Sequence, residues 1–153
     1  PPHNHCMALL SPADQEKLRE AFAEMTSKVR VLFFTQALEC ETCLHTRQIL
    51  DELPALSDKI DIEEVNFVLD KDKAAQYGID RVPALALLVD DDGGGPRDSR
   101  IRFLGAPSGY EFISLVQALM LVGGGPTSLT DENRQKLAAV TRPMTVQVFT
   151  TPT

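Results

Sequence analysis

Two cysteines separated by two residues, in Cys40-Glu41-Thr42-Cys43, are the side chains of this 153-residue chain best placed to do covalent chemistry. Zinc binding, a pair of inert buried thiols and redox exchange can each account for such a pair. A zinc site needs a second ligand pair at a workable spacing. The available candidates are His3, His5, Cys6 and His45, and the first three sit in an N-terminal stretch without periodicity. Redox chemistry draws support from position. The pair follows an apolar run at what reads as a strand-to-helix junction. Unpaired backbone N–H groups at a helix N-terminus favour negative charge. They lower a thiol's pKa from about 8.5 toward neutrality, and the thiolate is the reactive form. Cys40 is placed at or just before the first helical turn, with Cys43 one turn further in. That spacing lets the second thiol attack a mixed disulfide formed by the first.

The elements that must hold this pair can be read on both sides of it. Val29-Arg30-Val31-Leu32-Phe33-Phe34 is apolar except for Arg30, as in a strand covered on both faces. From Glu41 onward Leu44, Ile49, Leu50, Leu53 and Leu56 recur at helical steps, and Pro54 bends or stops that helix. Upstream, Ser11-Pro12-Ala13-Asp14 is a helix start, and Leu18, Ala21, Phe22 and Met25 form its apolar stripe. Downstream, the alternation of Ile60, Ile62, Val65 and Phe67 predicts a strand over 59–67. A polar helical link follows over 70–77, stopped by Gly78. Pro83 stands at the start of a strongly apolar strand through Val89, a position where a missing N–H is tolerated. Residues 90–99 read as a hairpin loop, 101–104 as a returning strand, and 110–122 as a helix lined by Ile113, Val116, Leu119 and Met120. The order is βαβ, a β-hairpin, then α: an α/β layer architecture.

Composition narrows the function classes. The formal net charge of −7 argues against nucleic acid or an anionic membrane as partner. No apolar run approaches the roughly 18 residues that span a bilayer, and the N-terminus lacks the order of a secretory signal. Three cysteines, two of them in one C-x-x-C, suit a reducing compartment, so a cytoplasmic location is expected. Residues 1–10 read as a disordered leader or an engineered remnant, and 11–122 as the domain proper.

After the linker 123–129 the chain starts again. Thr130-Asp131-Glu132 through Leu137 resembles the capped helix around Leu18, and Met144-Thr145-Val146-Gln147-Val148-Phe149-Thr150 resembles the strand from Arg30 to Thr35. Residues 130–153 therefore read as the truncated start of a second unit, a helix and a strand. The apolar 144–149 strand is expected to bury itself against the first unit or against its twin in a homodimer.

The strand before Cys40-Glu41-Thr42-Cys43, with Val82-Pro83 about forty residues on, resembles the thioredoxin fold. Tyr77-Gly78-Ile79-Asp80-Arg81-Val82-Pro83 and Arg102-Phe103-Leu104-Gly105-Ala106-Pro107-Ser108-Gly109-Tyr110-Glu111-Phe112 are similar to the first unit of the protein disulfide oxidoreductases. These are glutaredoxin-like proteins of two fused thioredoxin units, and the end of this chain resembles the lead-in to their second motif. The likeness extends to the N-terminal domain of the flavoproteins that serve alkyl hydroperoxide peroxidases. It implies a central mixed sheet flanked by helices and a thiol–disulfide oxidoreductase that reduces or exchanges protein disulfides. Cys40 would attack and Cys43 resolve. The Val82-Pro83 bond would be cis beside them, and Val82, Pro83 and Arg81 would meet the substrate. It also implies no organic cofactor beyond the cysteine pair. An electron donor of thioredoxin-reductase or dithiol type, and a peroxidase partner, would complete the circuit. The rival role is a degenerate binding module that docks a peroxidase or flavin reductase.

The departures from that pattern are local. Glu39 replaces the tryptophan before the first cysteine, and Phe34 falls where thioredoxins carry a buried acid. Gly105-Ala106-Pro107-Ser108-Gly109 does not match the glutathione-binding turn of glutaredoxins, which weighs against glutathione dependence. Glu39 and Glu41 oppose a thiolate at Cys40 that the helix dipole supports. His45 and Arg47 are read as surface positions, Tyr110 and Phe112 as core or helix-entry packing, and 90–92 as solvated loop charge.

Overall fold

Strand β1 (Lys28–Thr35) is the hub of the sheet, because its apolar run leaves neither face that could be turned to water. The computed structural model describes residues 9–91 and 94–151. The predicted metal candidates His3, His5 and Cys6 lie outside them, as do Asp92, Gly93 and the last two residues. In chain order the remaining elements are α1 (Pro12–Ala23), α2 (Cys43–Asp51), β2 (Ile60–Asn66), α3 (Lys71–Gln76), β3 (Ala84–Asp91), β4 (Gly95–Leu104), α4 (Tyr110–Val122) and α5 (Asp131–Ala138). The sheet order is β2-β1-β3-β4. β1 runs parallel to β2 and antiparallel to β3, and β3 is antiparallel to β4. This is the mixed sheet flanked by helices that the sequence predicts.

The period of two along the strands divides the core into two layers. Val31 and Phe33 of β1 and Leu85 and Leu87 of β3 face α1, α2 and α4, packing with Phe22, Met25, Leu50, Leu53, Leu115 and Leu119. Leu32 and Phe34 of β1 and Ala84, Ala86 and Leu88 of β3 face α3, packing with Val65, Ala74 and Ile79. Small side chains on that second face let α3 and the following loop lie close. Ser11 caps α1 as predicted, its hydroxyl accepting from the Asp14 N–H at 3.2 Å. Two predicted stripes shift by part of a turn. Leu44 is 66% exposed, and the buried inner face of α2 is Cys43, Thr46, Ile49 and Leu50. Ile113 is 54% exposed, and Leu115 takes its place in α4. Tyr110 also stands out in solvent at the helix entry rather than packing into the core.

The hairpin is tighter than predicted. The strands run on to Asp91 and restart at Gly95, with Asp90 opposite Pro96. Asp90 is not loop charge: its carboxylate accepts from Arg30 at 2.9 Å, across β1 and β3. Glu63 and Asp61 flank the same guanidinium at 3.5 and 3.7 Å. The hydrogen bond to Asp90 raises the pKa of Arg30 above its ordinary value. A bulge interrupts the β3–β4 ladder between Ala86 and Leu88, and Arg100 there has φ 65°.

Arg102 ties β4 to the end of α3. Its guanidinium pairs with Asp98 at 2.6 and 2.8 Å, donates from Nε to the Tyr77 carbonyl at 3.0 Å, and lies 5.5 Å from the Tyr77 ring centroid. The hydrogen bond from Arg102 lowers the pKa of Asp98. A depressed carboxylate adds stability that is present above the ordinary Asp value and lost as pH falls through the lowered one. Asp98→Asn should therefore cost about 0.5–1 kcal/mol near neutral pH. Urea unfolding of both proteins checks this, and the gap should close well below about pH 3.9. A gap independent of pH would mean that the pair contributes through shape alone.

Gly123 to Gly125, predicted as the start of a linker, close α4 against the α1–β1 turn. The Gly123 carbonyl accepts from Thr26 and Ser27 N–H at 2.8 and 3.0 Å, and Gly125 N–H donates to Met120 O at 2.8 Å. Gly124 has φ +87°, and a Cβ there would fall within 2.2 Å of the Thr26 hydroxyl. Helix α5 forms where predicted, with the Thr130 hydroxyl accepting from Asn133 N–H at 3.3 Å. The predicted strand at 144–149 does not form a ladder. Val146, Val148 and Phe149 are 81%, 80% and 89% exposed, so burial against the first unit is not realised. A strand exists only through a partner's N–H and C=O groups, and neither edge of the four-stranded sheet supplies them to this segment.

Candidate functional site

β1 ends at Thr35, whose carbonyl accepts from Phe67 N–H at 2.9 Å and so anchors the strand end beside β2. The chain then loops through 36–39 to the cysteines. Gln36 folds its side-chain amide back over this loop, donating to the carbonyls of Leu38 at 2.8 Å and Glu39 at 3.4 Å. Glu39 sits at φ 56°, the left-handed region that side-chain-bearing residues rarely adopt. Cys40 and Cys43 are joined as a disulfide, with Cα atoms 5.4 Å apart, inside the usual range of about 4.4–6.8 Å.

Helix α2 begins later than predicted, at Cys43 rather than with Cys43 one turn inside it. Thr42 is its cap residue and Cys43 its first helical residue, so Cys40 lies in the turn that leads into the helix. Without a side-chain cap bond at Thr42, backbone N–H groups of the first turn stay free of side-chain partners. Inside the helix Thr46 is fully buried, and its hydroxyl donates to the Thr42 carbonyl at 2.9 Å. The two cysteines are unequally buried: Cys40 is half-buried, whereas Cys43 is 5% exposed.

The register of β1 and β3 brings the second part of the site to the same end of the sheet. Phe34 pairs with Ala84, so the next residues outward are Thr35 and Pro83, just before the cysteine loop. The Val82–Pro83 bond is cis, as predicted. Pro83 is buried and its carbonyl accepts from Gly105 N–H at 2.8 Å, while Val82 is half-buried against the α3-side core. Arg81 is exposed and forms a two-point pair with its neighbour Asp80 at 2.7 and 2.9 Å. That hydrogen bond lowers the pKa of Asp80 and raises that of Arg81. Arg81 is thus reachable but already partnered.

Phe34, at the position of the thioredoxin acid, is fully buried and stacks obliquely on Tyr77 at 6.3 Å between centroids. No proton relay runs through it. His45 is exposed, and Arg47 pairs with Glu64 at 2.6 Å. No group of three or more His, Cys, Asp or Glu side chains converges to hold a metal ion among the described residues. Gln36 and Thr46 carry no motif and were not legible as site residues. A polar residue just beyond a strand end signals a loop and nothing more.

A cysteine pair in the loop beyond an inner strand, with a cis proline just before the start of the neighbouring antiparallel strand at the same end of the sheet, is the arrangement of a thioredoxin-like fold. No protein-family model matches the chain. The "Probable Thioredoxin" of Methanothermobacter thermautotrophicus is 32% identical over 78 residues, 50% of this chain and 80% of that protein. Among solved structures, the NTD_N/C domain of the alkylhydroperoxide reductase AhpF from Enterococcus faecalis superposes with a TM-score of 0.75 at 31% identity over 85% of this chain. A protein disulfide oxidoreductase from Aeropyrum pernix gives a TM-score of 0.69 at 27% identity over 84%. This chain spans 60% of the first of these structures and 54% of the second. The chain belongs to the thioredoxin family. It is a thiol–disulfide oxidoreductase with a redox-capable Cys40–Cys43 pair.

Proposed function

We propose that Cys40 and Cys43 perform dithiol–disulfide exchange on protein disulfides, with Cys40 attacking and Cys43 resolving. The unequal burial of the two residues carries this assignment, with only Cys40 half open to solvent. The Cys40 thiolate attacks one sulfur of the substrate disulfide and expels the other as a thiolate. Cys43 then attacks Cys40 Sγ, releases the second substrate thiolate and leaves the Cys40–Cys43 disulfide. Two electrons have passed from the chain's dithiol to the substrate. An external dithiol donor or a reductase of thioredoxin-reductase type restores the starting state. Extended substrate would pair with the backbone of Val82 beside Pro83, a form of strand addition. Arg81 would serve an acidic substrate group only by leaving Asp80.

The likeness to part of AhpF supports a circuit that includes a flavoprotein reductase or peroxidase partner. A cytoplasmic, reducing setting suits a chain whose work begins from the dithiol. The domain assignment belongs to the same proposal: residues 11–122 carry the site, and 130–153 begin a second thioredoxin-like unit. The exposed apolar segment 144–149 is then the surface for a homodimer, which sedimentation tests.

Iodoacetamide labelling of the reduced protein, followed by peptide mapping, tests the roles. Cys40 should be alkylated at least about tenfold faster than Cys43, because thiolate character and access both favour it. Faster labelling of Cys43 would reverse the assignment.

A further inference from the structure

The loop that delivers Cys40 to the helix is held by a device outside the C-x-x-C. Among the described residues only Glu39 and Arg100 combine a side chain with a positive φ. Arg100 belongs to the β4 bulge, whereas Glu39 immediately precedes Cys40. An L-residue pays a steric cost in the left-handed region through its Cβ and the carbonyl oxygen, so something must hold it there. Gln36 is what the structure places against it. One amide nitrogen donates to the Leu38 carbonyl at 2.8 Å and to the Glu39 carbonyl at 3.4 Å. Those are the two peptide units before Cys40. Gln36 itself follows directly on the strand end that Phe67 anchors through Thr35.

We infer that Gln36 is a positioning residue, which fixes Glu39 in its left-handed conformation and thereby sets Cys40 at the entrance to α2. This rests on the proposed role of Cys40 as the attacking thiol. The same contact turns two carbonyl dipoles toward an N–H donor. If the loop relaxed to an extended or right-handed Glu39, the direction of the chain into Cys40 would change. The thiolate would then lose its placement at the free N–H groups of the helix start. Glu39 and Glu41 add like charge on either side of Cys40, so that placement matters more here than beside neutral neighbours. Glycine at position 39 would hold the positive φ without a Cβ penalty and make the Gln36 contact dispensable.

Three variants test this: Gln36→Met, which keeps length and removes both donations, Glu39→Gly, and the double variant. The measurements are the pH profile of Cys40 alkylation, insulin reduction with dithiothreitol, and thermal unfolding. Q36M should slow Cys40 alkylation near neutral pH by about three- to tenfold, the range one or two hydrogen bonds can set, with its pH midpoint moved upward. Insulin reduction should fall in parallel while the thermal midpoint stays close to wild type. E39G combined with Q36M should recover most of the loss. An unchanged pH profile in Q36M would overturn the inference, and so would a double variant no better than Q36M. A drop in thermal midpoint without a shift in that profile would make Gln36 merely structural and would also overturn it. If wild-type mapping finds Cys43 as the reactive thiol, the site assignment itself fails. If Cys40 is reactive and indifferent to Gln36, only the positioning role fails.

Discussion

Cys40→Ser should reduce the rate of insulin disulfide reduction to that of dithiothreitol alone, and Cys43→Ser should stop the protein after one step. A serine hydroxyl at position 40 cannot form the mixed disulfide, so the whole catalysed route is lost. The expected fall is at least about a hundredfold, because the wild-type second step is intramolecular and runs at a high effective concentration. Cys43→Ser keeps the attacking thiol but removes the group that releases substrate, and a mixed disulfide should accumulate on Cys40. Non-reducing electrophoresis followed by peptide mapping would identify it. The half-buried Cys40 and the 5% exposed Cys43 make the two variants behave differently rather than alike. Equal insulin rates for wild type and Cys40→Ser would instead favour a docking module that turns over little.

The largest expected loss of stability is at Phe33. Its side chain is 1% exposed and lies in the core layer between the sheet and helices α1, α2 and α4, among Leu85, Leu87, Leu50 and Leu115. Truncation to Ala removes a ring from an inner strand of the sheet, in a layer walled on one side by backbone, which cannot collapse into the gap. A buried Phe→Ala change of this kind costs about 3–5 kcal/mol. For a domain of this size that lowers the thermal midpoint by about 10–20 °C. Ile113→Ala, on the exposed side of α4, should shift stability by no more than about 0.5 kcal/mol. A cost below about 1 kcal/mol at Phe33 would contradict the core as described.

The two positions also show where sequence reasoning succeeds and where it stops. The run from Val29 to Phe34 reads as an inner strand, since apart from Arg30 it is apolar and β-branched or aromatic on both faces. The capped start of α1 at Ser11, the end of α3 at Gly78 and the cysteine pair at the strand exit are equally local. Each depends on residues within a few positions of one another, so one-dimensional patterns suffice. For the cis Val82–Pro83 bond, motif resemblance supplied what local pattern could not.

What the chain alone left open concerns partners far apart in sequence. Leu44 and Ile113 satisfy a helical period as well as Thr46 and Leu115 do, and only the neighbouring layers decide which side is covered. Arg30 looks misplaced in an apolar strand until Asp90, sixty residues away, is brought beside it by the β1–β3 register. The 144–149 segment has strand composition without a strand, because a ladder needs a second chain segment and β propensity cannot provide one. Likewise, Cys40-Glu41-Thr42-Cys43 admits exchange chemistry as one of three readings and its place after the strand favours it, yet which cysteine is open to solvent depends on where α2 starts and what packs on it. Local hydrogen bonds and side-chain period are written in neighbouring residues. Burial and long-range pairing are properties of the packed assembly, and only the tertiary structure sets them.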